Sequence, residues 1–161
     1  MHQPGGSTGN SGRVTMTMLY AVRDHDDELL ALLDPVTRLP GRGLFLDRCA
    51  IALTRARRSR TSLGLISITS AALDDCDEAT RDVVRRRIAV AALSVMRADD
   101  TVARFDDRFV IVCNELRNAK DLATITTRLG NVLQHQAGSV SSTLVDPMTS
   151  AAELLELVDR G

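Results

Sequence analysis

The side chains able to do chemistry in this sequence fall into acidic, guanidinium and thiol clusters. The densest acidic run is Asp74, Asp75, Asp77 and Glu78. A calcium loop needs oxygen ligands at alternating positions around a central glycine. That pattern is absent here, so the run reads as a solvated acidic loop. Asp106 and Asp107 stand with Arg108 between two apolar runs. Every basic residue except Lys120 is an arginine, which points to a coding bias before it points to function. Arg55, Arg57, Arg58 and Arg60 crowd one helix end, either as cations at the negative end of the dipole or as an anion-binding patch. Arg85, Arg86 and Arg87 read as solubilising charges facing water. No aromatic interleaves them and no basic surplus surrounds them, as a nucleic-acid surface would require. Cys49, Cys76 and Cys113 are an odd number without C-x-x-C spacing, so reduced and mostly buried thiols are expected rather than a disulfide framework or zinc knuckle.

Composition narrows the setting. The 161 residues are 44% hydrophobic and 25% charged, with a net charge of −1. This is one domain with room for a core, and no global field draws it to nucleic acid or an anionic membrane. No apolar run approaches the roughly 18–20 residues of a membrane span. The opening residues lack the apolar middle of a secretory signal, so the chain is expected in the cytoplasm. The aromatics Tyr20, Phe45, Phe105 and Phe109 are too few for base-stacking platforms.

Elements that position these residues follow from periodicity. Residues 1–14 are Gly, Ser, Asn and Pro-rich and read as a disordered leader. Residues 15–33 form an N-terminal segment with a short acidic helix from Arg23 to Leu33, stopped by Asp34-Pro35. After a turn-rich connector over 34–43, Phe45, Cys49, Ala52, Leu53 and Ala56 mark one face of a helix over 44–58. A β-branched run over 63–69 predicts a strand. A helix over 81–96 follows, with Val84, Ile88, Ala91, Ala92 and Val95 as its stripe. Residues 101–105 and 109–113 predict two strands joined tightly through Asp106, Asp107 and Arg108. A helix over 119–134, a polar edge-like strand over 139–145 and a last helix opened by the Ser150 to Glu153 capping box complete the chain. The central β-α-β-β-α-β order predicts an α+β fold with a ferredoxin-like palm. Its first strand lies inside the sheet, both crossover helices cover one face, and extra helices flank it at either end.

Two stretches carry a family resemblance. Asp34-Pro-Val-Thr-Arg-Leu-Pro-Gly-Arg42, followed by Leu44-Phe45, resembles the D-x-L-T-G-L-P-N-R-x-x-F opening of GGDEF domains, the diguanylate cyclase family. Arg97-Ala-Asp-Asp-Thr-Val-Ala-Arg-Phe105 resembles the R-x-x-D-T-V-A-R-L before that family's signature hairpin. Residues 139–145 and 150–159 are similar to its V-S-x-G strand and S-A-x-x-L-L-x-x-A-D helix. The resemblance covers residues 34–161, lacks the family's last strand, and implies the same palm in a bacterial signalling protein.

The resemblance also implies what has changed. The cyclases join two GTP molecules with metal ions on the phosphates, and one ligand is an Asp ending the first palm strand. Here that strand ends Ile66-Ser-Ile-Thr69-Ser70, and no acid occurs between Asp47 and Asp74. The signature G-G-D-E-F is replaced by Phe105-Asp106-Asp107-Arg108-Phe109, without its glycines. No catalytic residue, metal or cofactor is therefore expected. Arg97 and Asp100 keep the family's R-x-x-D site for cyclic di-GMP, and Arg128 stands where a second arginine is often added. An Arg fork suits guanine O6 and N7, while a carboxylate accepts from guanine N1–H and N2–H₂. The same two residues suit a helix end and turn without any ligand. The leading expectation is a degenerate, catalytically inactive regulatory module reading cyclic di-GMP through Arg97, Asp100 and Arg128. The second is a nucleotide-independent module pairing with itself or a signalling protein. The third is an active cyclase.

Overall fold

A computed structural model describes residues 31–136 and 138–160. The chain divides into Met1–Leu32 and Leu33–Gly161, and the second unit is described here. The expected leader, and all but the end of the helix expected over 23–33, lie outside the described residues. The elements are α1 (Arg42–Ser59), β1 (Ser62–Ser70), α2 (Glu78–Val95), β2 (Thr101–Phe105), β3 (Arg108–Leu116), α3 (Ala119–Leu133), β4 (Gly138–Val145) and α4 (Ala151–Arg160). The four strands pair antiparallel in the order β2-β3-β1-β4. This is the α+β palm expected from the element order, with β1 inside the sheet.

Alternation along the strands divides the core into two layers. Ile66 and Ile68 of β1 with Phe109, Ile111 and Cys113 of β3 meet Ile88, Ala89 and Ala92 of α2 and Leu122, Leu129 and Leu133 of α3. Leu63 and Leu65 with Val110 and Val112 meet Phe45, Cys49, Ala52, Leu53 and Ala56 of α1 and Leu154 and Val158 of α4. The central strands are covered on both faces, so they read as continuous apolar runs. A Cβ on Gly64 would stand 2.6 Å from Leu122 Cδ1 and 2.8 Å from Leu116 Cδ1. Any larger residue at this position would have to push these two leucine side-chain ends aside.

Three of the boundaries that differ from the sequence reading shape the ends of the sheet. Helix α2 starts at Glu78, because the Asp77 carboxylate caps the Thr80 amide at 2.7 Å. Strand β3 runs on to Leu116 through a bulge: Ser62 pairs with Leu116 but Gly64 with Cys113, and Glu115 takes φ 55°. The hairpin turn holds only Asp106 and Asp107, since Arg108 already pairs with Phe105 in the ladder. Asp106 takes φ 55°, a conformation that Asp tolerates better than most residues.

Candidate functional site

The connector before α1 is a built turn. The Asp34 carboxylate accepts from the Thr37 amide and hydroxyl, each at 2.6 Å, and from the Arg104 guanidinium. Burial pulls the Asp34 pKa upward, but the Thr37 hydroxyl, Arg104 and the Thr37 amide outweigh it and hold the carboxyl below its ordinary value. Arg38 takes φ 61° where the resembled motif has glycine. The Arg104 amide donates to the Pro40 carbonyl at 3.1 Å, which fastens the connector to β2.

The hairpin end of the sheet carries a recess of about 440 Å³ lined by Thr69, Ser70, Asp74, Phe105, Asp106, Asp107, Arg108 and Asp159. Two of its four carboxylates, those of Asp107 and Asp159, are met by arginines. Arg85 donates through Nε and Nη2 to Asp107 Oδ1 at 3.0 and 2.8 Å, and through Nη1 to Asp82 at 2.9 Å and to Glu78. Burial opposes the charge on Arg85, but bonds from Asp107, Glu78 and Asp82 outweigh it and raise its pKa. Asp159 forms a two-pronged pair with Arg42 at 2.6 and 3.1 Å, which lowers its pKa. The Arg42 guanidinium lies 6.0 Å from the Phe105 ring centroid, and Phe105 meets Phe45 edge-on at 5.4 Å. Arg108 Nη1 donates to the Asp159 carbonyl at 3.3 Å, while Phe109 is fully buried.

Arg85 corrects the sequence reading, which placed it on a solvated face. It is only 7% exposed. The signal was present, because residues 85, 88, 89 and 92 share the i, i+3, i+4, i+7 face of α2. An arginine on an inward face needs acids to meet it, and those come from Asp107 across the sheet and from the first turns of the helix.

The donor set at this end does not fit the metal ions implied by the family resemblance. The strand end offers Thr69 and Ser70 hydroxyls, and Ser70 is already bonded to the Gln136 carbonyl. Asp107 and Asp159 are neutralised by guanidinium groups, and Asp74 and Asp106 are the remaining acids of the recess. Among the described residues, no three His, Cys, Asp or Glu side chains are placed to hold a metal.

The opposite end of the sheet holds a cleft of about 550 Å³, lined by Arg97, Arg117 and Arg128, the acids Glu115 and Asp121, and Ser59, Thr61 and Thr124. Arg97 follows α2 and Arg128 lies on α3, so the fold brings these two expected residues together. Among the described residues neither guanidinium has a hydrogen-bonded partner. Asp100 is placed differently. Its Oδ2 accepts from the Arg97 amide and its Oδ1 from the Asn114 amide, both at 2.9 Å. It ties the turn before β2 to the bulge of β3 and lines a separate recess of about 300 Å³ beside Arg48 and Arg55. Arg117 escaped the sequence reading, since only the end of an extended β3 brings it to this cleft.

The profile of the family described as Diguanylate cyclase, GGDEF domain, matches residues 31–150. No curated protein matches the sequence. Among solved structures, the diguanylate cyclase SiaD from Pseudomonas aeruginosa, in complex with its activator SiaC, superposes with a TM-score of 0.72 at 20% identity. The alignment covers 92% of this chain and 64% of SiaD, so this chain spans just under two thirds of that protein. The GGDEF domain of PA1120 (TpbB or YfiN), also from Pseudomonas aeruginosa, gives a TM-score of 0.68 at 25% identity over 79% of this chain and 84% of that one. The coiled coil and GGDEF domain of DgcB from Caulobacter crescentus, in complex with c-di-GMP, gives 0.71 at 20% identity over 92% and 88%.

Proposed function

The chain belongs to the GGDEF family, and from that premise we propose that it is a non-catalytic member that reads cyclic di-GMP through the cleft of Arg97 and Arg128. The observation that carries this reading is the contrast between the two ends of the sheet. At the hairpin end, Asp107 and Asp159 are taken up by Arg85 and Arg42, and the remaining acids of the recess, Asp74 and Asp106, stand on loops rather than at the end of β1. At the other end, two guanidinium groups line one cleft with no acceptor bonded to either among the described residues.

In this reading Arg97 forks onto a guanine edge. Arg128 meets the phosphodiester or the second guanine, as a planar fork does well. Asp100 acts by holding the turn that presents Arg97, because both its carboxylate oxygens already accept backbone amides.

Calorimetric titration with cyclic di-GMP tests the reading. Arg97→Ala should weaken binding by about 5–150-fold, the equivalent of roughly 1–3 kcal/mol for a charge-assisted bidentate contact. Arg128→Ala should weaken it too, and the exposed Arg87→Ala should leave it unchanged. No binding by the parent protein, or equal losses for Arg97→Ala and Arg87→Ala, rejects the receptor role. Incubation with GTP and Mg²⁺ or Mn²⁺ tests the other half: cyclic di-GMP that scales with protein through further purification overturns the non-catalytic assignment.

A further inference from the structure

The two edges of the sheet are finished differently. At the β2 edge, the Arg104 amide points outward and is met by the Pro40 carbonyl, and Leu33 bridges Pro40 beside it. The β4 edge has no such cover among the described residues. Its eight residues, Gly-Ser-Val-Ser-Ser-Thr-Leu-Val, contain no charge and no proline. Its pairing with β1 runs unbroken from Val145 to Gly138, without a bulge. Charges, proline, bulges and covering segments are the devices that keep an edge strand from pairing with another chain. Among the described residues strand β4 has none of them, and Ser139 and Ser141 to Leu144 are exposed.

We propose that β4 is a homotypic interface, at which β4 of a second copy pairs antiparallel to form a continuous eight-stranded sheet. One feature selects a second copy of this chain as the occupant: the strand, which carries no charge, is self-complementary in one register. Val140 packs on the α2/α3 layer and Val145 on the α1/α4 layer, so alternation puts Val140, Ser142 and Leu144 on one face. A two-fold axis perpendicular to the sheet through Ser142 sets Val140 opposite Leu144 of the second copy, twice. It sets Ser141 opposite Thr143 on the other face, and it covers Leu144, which is 38% exposed. Moving the axis to Ser141 sets Val140 against Ser142 and loses both apolar pairs.

The test uses the full chain in size-exclusion chromatography with light scattering. The parent protein should run at twice the monomer mass. Ser142→Lys places like charges on the axis and should give a monomer with the parent's circular dichroism spectrum, its melting temperature lowered only by the loss of association. Cross-linking fixes the register independently of stability. In a Cys76→Ser background, Ser142→Cys should form an interchain disulfide on mild oxidation. Directly opposed strand residues lie about 4.5–5.5 Å apart between Cα atoms, inside the range a disulfide spans. Ser139→Cys, opposite Val145 of the second copy, should not cross-link. A parent that stays monomeric at every concentration, a dimer that survives Ser142→Lys, or cross-linking of Ser139→Cys as fast as Ser142→Cys overturns the proposal. The last two outcomes would assign dimerisation to another surface.

Discussion

Removing the Arg85 guanidinium should destabilise the domain far more than removing its sequence neighbour Arg87. The Arg85 side chain is 9% exposed, and it faces Asp82, Asp107 and Glu78, whose side chains are 27%, 45% and 67% exposed. In Arg85→Ala these carboxylates turn to water only in part, and three like charges are left to repel one another. Breaking a fully buried pair costs about 3–5 kcal/mol, and an exposed one about 0–1 kcal/mol. The mixed exposure places the loss between them, at roughly 2–3 kcal/mol. At about 2–4 °C per kcal/mol this lowers the melting temperature by about 4–12 °C. Urea denaturation followed by circular dichroism measures the loss directly. Arg87→Ala, exposed and without a bonded partner among the described residues, should stay within about 0.5 kcal/mol of the parent. Arg85→Lys should recover only part of the loss, because an ammonium cannot reach three carboxylates in the geometry of a fork. A double-mutant cycle with Asp107→Asn should show a coupling of about 1 kcal/mol. Equal stabilities of Arg85→Ala and Arg87→Ala, or strict additivity in the cycle, would refute the argument.

Phe109, fully buried beneath α2 and α3, should cost about 3–5 kcal/mol when replaced by alanine, measured in the same urea titration. Arg38 holds φ 61°, so Arg38→Gly should raise the melting temperature, with a gain of about 0.5–1 kcal/mol once the greater chain entropy of glycine is subtracted. Burial pushes the Cys49 and Cys113 thiols up to about 12; Cys76 alone should react quickly with a disulfide reagent in the native protein, and all three after unfolding. The Asp34 carboxyl is held below its ordinary value of 3.8, so its contribution is complete above that pH and lost as pH falls through the depressed value. The stability gap between the parent and Asp34→Asn should therefore be full at neutral pH and close in acid.

Apolar spacing made the palm legible before the structure was known. The α1 stripe of Phe45, Cys49, Ala52, Leu53 and Ala56 is its buried face residue for residue, because a helix against a sheet exposes nothing else to the core. The hairpin was legible as a hairpin but not in its length, since the ladder takes Arg108 and leaves a two-residue turn that no apolar period marks. Arg85 shares the inward face of Ile88, Ala89 and Ala92, but its partner Asp107 lies in the hairpin turn, and no sequence period links that turn to α2. The cleft was half legible. Arg97 and Arg128 were picked out by motif and position, whereas Arg117 reaches it only through the longer β3. The role of Asp100 depends on the Asn114 amide, which the bulge at Glu115 presents to it.

The bond between Asp34 and Arg104 has a mechanical consequence. A pull on the backbone at Leu33 does not slacken a loop. It meets the Leu33–Pro40 bridge, the ion pair from Asp34 to Arg104, and the Arg104 amide held by Pro40. Arg104 lies two residues before the hairpin turn and pairs with Phe109 at the root of β3. The load therefore enters the sheet at the hairpin and bears on its most deeply buried aromatic. Torque or tension delivered from the N-terminal side is resisted by a closed set of short bonds rather than by chain entropy, so the connector behaves as a stiff coupling into the sheet.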